Sequence, residues 1–86
     1  MFPLGKIVMT TEALLRIHLG DMSDGLTRHA KGDWGDVNKE DFDENQVSLD
    51  EGYRLFSVYH DRKGVKFWII TEADRKTTTV LLPEDY

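Results

Sequence analysis

Carboxylates are the most concentrated reactive side chains in this sequence, and so the most able to form a site. The segment from 33 to 51 contains eight acidic residues against a single lysine, Lys39, which more than accounts for the net charge of −5. The acidic residues of this segment are Asp33, Asp36, Glu40, Asp41, Asp43, Glu44, Asp50 and Glu51. The rest of the chain is close to neutral, so one region of the surface is expected to be strongly negative.

Part of this charge falls on one face of a predicted helix. Glu40, Asp43 and Glu44 are spaced i, i+3 and i+4, and Asp36 lies about one turn earlier. Like charges at this spacing destabilise an isolated helix, so helix stability does not explain them. A row of negative charges resembles duplex phosphates and suits a protein surface built to bind nucleic acid. The alternative is a solvated helix that only keeps the protein soluble.

Trp34 lies beside that face, in a turn that is rich in glycine and aspartate. A tryptophan in this position is either an anchor of a protein interface or a cap on the core. The sequence therefore predicts a partner-binding site made of one aromatic and six acidic residues: Asp33, Trp34, Asp36, Glu40, Asp41, Asp43 and Glu44.

The sequence has no spacing typical of an enzyme or a metal centre. There is no cysteine, and the three histidines, His18, His29 and His60, lie in different predicted elements without a zinc-binding spacing. We expect them to be ordinary surface or half-buried residues. The acidic run lacks the calcium-loop spacing, and the glycine turn lacks the lysine and hydroxyl of a phosphate loop. We therefore expect no catalytic residue, no metal and no cofactor, with an acid–base cluster at His60-Asp61-Arg62 as a weaker alternative.

Basic residues gather at two predicted turns near aromatic strand residues. They are Arg62, Lys63, Lys66, Arg75 and Lys76. Basic turns beside aromatic strands are typical of single-strand nucleic-acid binders. The acidic net charge disfavours direct nucleic-acid binding, because an acidic protein repels the phosphate backbone. In the other interpretation these turns protect the sheet edges and pair with Asp61, Glu72 and Asp74.

The elements that must position these residues form a single α+β domain over residues 1–86. A short strand is predicted at Lys6–Thr10, followed by a helix that Thr10 or Thr11 caps and Gly20 stops. The second helix begins near Asp21 or Ser23 and ends at Gly32, and the third runs from Asn38 to about Gln46. Ser48–Gly52 is then predicted to be a turn.

Three strands are predicted in the C-terminal half, at Tyr53–His60, Val65–Glu72 and Thr77–Leu82, with turns at 61–64 and 74–76. They form an antiparallel meander, and the first strand is expected to join one of its edges. The predicted order is β-α-α-α-β-β-β, an antiparallel sheet of three to four strands with the helices packed on one face. The start of the chain has no signal peptide pattern and no apolar run could span a membrane. Because the chain has no cysteine to form disulfides, we expect it in the cytoplasm. We expect it to be a monomer or a homodimer.

Four blocks of the sequence carry a resemblance to a known family. They are R-H-A-K-G-D-W-G-D (28–36), S-V-Y-H (57–60), K-F-W-I-I-T-E-A-D-R (66–75) and T-T-V-L-L-P-E-D-Y (78–86). The chain resembles a family of small "plasmid-related" proteins of bacterial plasmids and integrative elements, sometimes labelled type I restriction endonuclease subunit M. It has neither the glycine-rich S-adenosylmethionine loop nor the N-P-P-Y/F tetrapeptide of such a subunit. The resemblance implies a neighbourhood of accessory genes in which anti-defence proteins are common, and it implies no catalytic residues.

These observations together predict an accessory protein of a mobile genetic element that binds a host protein. The partner would be a nucleic-acid-binding defence complex, of a restriction or CRISPR system, inhibited through the acidic, nucleic-acid-mimicking face. The alternatives are a regulatory or toxin–antitoxin-like module, and a single-strand nucleic-acid binder that uses the basic turns.

Overall fold

The computed structural model describes all residues from 1 to 86 and contains seven helices and strands followed by a short 3₁₀ turn. In chain order they are β1 (Lys6–Met9), α1 (Thr11–Arg16), α2 (Leu19–Ala30), α3 (Lys39–Glu51), β2 (Leu55–His60), β3 (Lys66–Thr71), β4 (Thr77–Leu81) and the turn Pro83–Asp85. The predicted α+β class and the order β-α-α-α-β-β-β are confirmed. No helix is long and apolar enough to cross a membrane.

The four strands form one sheet in the order β1-β4-β3-β2. The meander of β2, β3 and β4 is antiparallel as predicted, and β1 joins the edge beside β4. However, β1 runs parallel to β4, from Lys6 opposite Thr77 to Met9 opposite Val80, so the prediction of an antiparallel sheet is wrong for this pair. A four-residue strand fits either direction locally. The parallel arrangement brings Thr10 close to the C-terminal turn, where its hydroxyl donates to Asp85 Oδ2 at 2.6 Å.

The boundaries of the first two helices differ from the prediction. Thr10 caps α1 as predicted, since its hydroxyl accepts from the Ala13 N–H at 3.1 Å. However, α1 ends at Arg16, and Gly20 lies in the first turn of α2 instead of stopping a helix. The cause is a long-range contact: the His18 N–H donates to Asp61 Oδ2 at 3.0 Å and redirects the chain between the helices.

The third helix begins as predicted and ends later. The Asn38 side chain caps α3 by accepting from the Asp41 N–H at 2.8 Å. The helix continues through Ser48 to Glu51, where Gly52 ends it in a left-handed conformation with φ of 82°. The predicted end at Gln46 and the turn at Ser48–Gly52 are therefore wrong. The stripe of α3 that faces the sheet carries the polar residues Asn45 and Ser48, so an apolar periodicity could not reveal it.

The main core lies between α1 and α2 and one face of the sheet. Its members are Ala13, Ile17, Met22, Tyr59, Phe67, Ile69, Val80 and Leu82. At the contact of α2 with the sheet lies Gly25, where a Cβ atom would stand 3.2 Å from the rings of Phe67 and Tyr59. A glycine that weakens the isolated helix thus lets α2 pack closely on the sheet.

The third helix does not share that face, because it lies along the outer edge of β2. Asn45 forms two hydrogen bonds with the backbone of Phe56: its Nδ2 donates to the carbonyl at 2.7 Å, and its Oδ1 accepts from the N–H at 3.0 Å. Further along the same edge, Gly35 pairs with Val58 in an isolated β-bridge. The outer edge of β2 is therefore covered at Phe56 and at Val58.

Candidate functional site

Three carboxylates of α3 line an open surface depression of about 750 Å³, here called the α3 depression. It is lined by Glu40, Asp43, Glu44, Val47, Ser48, Tyr53, Arg54 and Ala73. Three of the acidic residues predicted from the sequence are thus brought together on one concave surface. Val47 and Tyr53 are 53% and 57% exposed, so the depression combines negative charge with accessible apolar surface.

The stripe of α3 that faces the depression follows directly from the helical period. Glu40, Asp43, Glu44 and Val47 are spaced i, i+3, i+4 and i+7, which places them on one side of the helix. The two hydrogen bonds that Asn45 forms with β2 hold α3 at one rotation about its axis, with this stripe turned outward. The geometry therefore presents the charged stripe to solvent instead of the sheet.

Two of these three carboxylates form no ion pair within the protein. Asp43 pairs with Lys39 at 2.7 Å, one turn earlier, with the lysine side chain 86% exposed and the aspartate 58% exposed. Such an exposed pair contributes little and exchanges readily with solvent. No Lys, Arg or His side chain lies within ion-pair distance of Glu40 or Glu44. The depression is therefore chemically suited to a cationic group carried on an aliphatic or aromatic stem.

Asp33 and Asp36 precede α3 and are each bonded to a side chain of the protein itself, Asp33 to Arg28 and Asp36 to His60. Arg28 donates to both carboxylate oxygens of Asp33, at 2.7 and 3.1 Å, and this pairing lowers the pKa of Asp33. His60 Nδ1 lies 2.9 Å from Asp36 Oδ2. These two predicted site residues therefore fasten the 33–36 loop, and neither lines the α3 depression.

Trp34 is a core residue in this structure and does not form an exposed anchor. It is 2% exposed, and its ring stacks against Phe2 and meets His29 edge-on. Its indole N–H donates to Gln46 Oε1 of α3 at 3.3 Å. Of the two interpretations open from the sequence, the structure supports the cap on the core, because the glycine turn folds the ring inward.

A second, smaller depression of about 250 Å³ adjoins the first on the other side of Glu44. Its walls include Asp41, the remaining predicted site residue, and the aromatic side chains of Phe56, Trp68 and Tyr86. Arg54 lines both depressions. Its guanidinium is held by Glu72 at 3.0 and 3.3 Å and by the Tyr86 hydroxyl at 3.1 Å, and these bonds raise its pKa. One positive charge, held in place by Glu72 and Tyr86, thus lines both acidic depressions.

The three histidines occupy three different environments, and only two of them reach the surface. The side chains of His18 and His60 are 39% and 46% exposed and each lies near an aspartate. His29 is fully buried, so the expectation of a surface or half-buried residue is wrong for it. No group of three or more His, Asp or Glu side chains converges as metal ligands would.

His29 is the centre of a buried chain of hydroxyl groups. Its Nδ1 lies 2.5 Å from Ser57 Oγ, and its Nε2 lies 2.9 Å from Thr71 Oγ1. Thr71 continues to Thr78 at 2.7 Å, and Thr78 donates to the Leu4 carbonyl at 2.7 Å. Because that carbonyl can only accept, Thr71 must donate to Thr78 and His29 Nε2 must donate to Thr71. A neutral ring with its proton on Nε2 gives every hydrogen bond of this chain one donor and one acceptor. Burial also lowers the pKa of His29 to about 4, which favours this neutral ring.

The basic turns are partly committed to contacts within the protein. Arg62 donates to both carboxylate oxygens of Asp21, each at 3.0 Å. Arg75, in a left-handed conformation with φ of 61°, donates to the backbone carbonyls of Ser48 and Tyr53 at 3.0 and 2.6 Å. The predicted pairing with Asp61, Glu72 and Asp74 is therefore wrong, because these arginine side chains reach other partners. They hold the fold together and leave the lysines as the free cations of the turns.

No protein-family model, no curated protein and no solved structure matches this chain.

Sequence reasoning missed the residues that complete the depression on its far side, above all Tyr53 and Arg54. They follow Gly52, and the glycine was the available signal: as the end of α3 it places the next two residues beside the last turn of the helix. It also missed Asn45, whose position inside a helix gives no indication that its amide pairs with a strand.

Proposed function

We propose that this protein binds a basic surface of another protein through the α3 depression, as an accessory protein of a mobile genetic element that counters a host defence system. One observation supports this above the others: Glu40, Asp43 and Glu44 line the largest depression beside exposed Val47 and Tyr53, and two of the three have no cation partner. Exposed aromatic residues such as Tyr53 are enriched at protein interfaces, and a patch of one charge sign gives specificity for a partner patch of the opposite sign.

The mechanism proposed is competition with nucleic acid. A restriction or CRISPR complex binds duplex phosphates with lysine and arginine side chains. Carboxylates on the outward stripe of α3 offer the same cations an alternative set of negative charges, while Val47 and Tyr53 supply the apolar contact that phosphates lack. The two paired aspartates, Asp33 and Asp36, then act by fixing the loop before α3 and not by direct contact.

The test is a protection assay in cells that carry a restriction or CRISPR system, with plasmid or phage survival as the readout. The triple variant E40K/D43K/E44K reverses the charge of the depression. The matched control, E12K/D24K/D50K, changes net charge by the same amount at exposed positions outside it. We expect the first variant to lose protection and the control to keep it.

Circular dichroism and thermal unfolding should show both variants folded, because all six positions are exposed. Equal protection by the wild type and the E40K/D43K/E44K variant would overturn the mimicry mechanism. Growth arrest on expression, with no protection, would instead favour the toxin–antitoxin-like alternative.

A further inference from the structure

The outer edge of β1 is open, in contrast to the covered edge of β2. The Lys6 N–H donates to the Lys76 carbonyl at 2.8 Å, and the Thr10 N–H donates to the Val80 carbonyl at 3.0 Å. Because hydrogen bonding alternates along an edge strand, the backbone groups of Ile7 and Met9 point away from the sheet. An edge with unpaired N–H and C=O groups is a template for another strand.

Apolar side chains surround this open edge. Ile7 and Met9 are 43% and 37% exposed, and they lie on the sheet face that carries the main core, since they pair with Thr78 and Val80. An open depression of about 380 Å³, whose lining is mostly apolar, adjoins Ile7 and extends to Leu26 of α2. Single exposed apolar residues are normal, but their grouping at an unpaired strand marks an interaction site.

We propose that β1 is a homodimer interface, in which a second copy of this chain adds its own β1 strand in the antiparallel direction. With the two-fold axis beside Val8, Ile7 of each copy stands opposite Met9 of the other. These are the two residues whose backbone groups point outward, so each facing pair exchanges two N–H···O bonds. The strand is thus its own complement, which is the requirement for a two-fold symmetric interface.

The charge distribution permits this pairing. The strongly acidic segment is held at the opposite edge of the sheet, where α3 lies along β2. Residues 1–32 carry acidic and basic side chains in nearly equal number, so two β1 edges approach without strong repulsion. The dimer would form one continuous sheet with the two α3 depressions at its far ends.

The short strand limits the affinity, so we expect association that depends on protein concentration in the micromolar range and above. Only four residues form β1, and stable dimers bury more surface than such a contact supplies alone. We expect the apolar residues that line the depression beside Ile7 to add to the buried surface. Sedimentation velocity or light scattering over a concentration series measures the dissociation constant directly.

The predicted register provides a specific test. The I7K/M9K variant and the I7E/M9E variant each place like charges opposite one another at both facing pairs, so each should be monomeric, with a dissociation constant raised at least about tenfold. Mixing the two should restore a heterodimer. The I7K/M9E variant should associate with itself, because each introduced lysine faces an introduced glutamate.

The matched control is Val47→Lys, an exposed apolar residue of α3, which should leave dimerisation unchanged. A wild type that stays monomeric at all concentrations would overturn the proposal. Dimerisation that survives in I7K/M9K, or that is lost in the V47K control, would place the interface elsewhere and overturn it equally. The E40K/D43K/E44K variant should still dimerise, so the outcome is independent of the proposed function.

Discussion

The two edges of the sheet are finished in different ways, although each belongs to a short strand of the same small domain. The outer edge of β2 is bonded to Asn45 of α3 and to the 34–36 loop, whereas the outer edge of β1 bonds to nothing. The covered edge is held by polar groups, and the open edge is apolar. A strand that is left unpaired and apolar in a protein that covers its other edge is a candidate surface for binding.

The comparison also separates two kinds of polar residue in the acidic segment. Asn45, Asp33 and Asp36 act inward, closing the β2 edge and fastening the loop beside it. Glu40 and Glu44 form no ion pair and face the depression. The hydrogen bonds that cover the β2 edge therefore also fix the orientation of α3, with its charged stripe facing solvent.

The largest loss of stability should come from a substitution that disrupts the covered edge of β2 at Gly35. A Cβ atom there would lie 2.1 Å from the Val58 carbonyl, and φ is 71°. We expect Gly35→Ala to lower the free energy of unfolding by about 4 kcal/mol, because backbone strain and a backbone clash add. Gly64→Ala is the control: φ is 83° but no atom lies within 4 Å, so about 1 kcal/mol is expected. Urea unfolding of both variants tests this, and equal losses would contradict it.

The second effect concerns the hydroxyl chain around His29, which joins strands β2, β3 and β4 across the sheet. Burial lowers the pKa of His29 to about 4 from its ordinary value of 6.5, so the folded state favours the neutral ring. The contribution of the neutral His29 ring to the free energy of unfolding is fully present above pH 6.5. It is lost as the pH falls from about 6.5 to about 4, because the histidine of the unfolded chain binds its proton at the higher pH. The loss over this window should be at most about 3 kcal/mol.

The variant His29→Gln tests this assignment, because a glutamine keeps donor and acceptor groups but does not titrate. It should be less stable at pH 7, and its stability should no longer fall between pH 6.5 and 4. The aspartates with lowered pKa, such as Asp21 with a pKa of about 2, change the free energy of unfolding only below their ordinary pKa of 3.8, outside this window. A wild-type slope that persists in the variant would show that another group is responsible.

The smallest of the three effects should follow Asn45→Ala, which removes both bonds to Phe56 and leaves a polar backbone pair at the edge. We expect a loss of about 2 kcal/mol, since Asn45 is buried and its removal leaves the N–H and the carbonyl of Phe56 without their partner. Hydrogen exchange of the Phe56 amide should accelerate by more than global unfolding explains. Gln46→Ala, on the next residue of the same helix, should cost less, because its bond to Trp34 is longer at 3.3 Å.

Much of the fold followed from local rules, since capping and turn residues act over a few positions. Asn38 and Thr10 cap helices as predicted, and the meander lies where the strand-like segments between the turns at 61–64 and 74–76 predicted it. The direction of β1 could not be predicted, because it depends on contacts with residues far along the chain. The end of α3 could not be predicted for a different reason. Asn45 and Ser48 are buried although they are polar, so the pattern of apolar residues does not show that the helix continues through them.

The candidate site was predicted in part. Charge density and helical spacing brought Glu40, Asp43 and Glu44 together correctly. Nothing in the spacing showed that Asp33 is paired with Arg28 and that Asp36 is bonded to His60, because contacts between separate elements depend on the tertiary fold. Trp34 illustrates the same limit, since a tryptophan in a turn packs inward or outward according to what the rest of the chain leaves open.

The pairing of β1 with β4 has a consequence for how the molecule reaches its native state. The contacts that fix this pair, Thr78 with Leu4 and Thr10 with Asp85, join residues 74 and 75 positions apart. Contacts of such long range form late, because the chain must first lose the entropy of closing a large loop. During synthesis β1 leaves the ribosome early. It then has no strand to pair with until β4, the last strand of the sheet, has emerged. We therefore expect the β2–β3 hairpin to form early in folding and β1, the first strand to be synthesised, to be placed last.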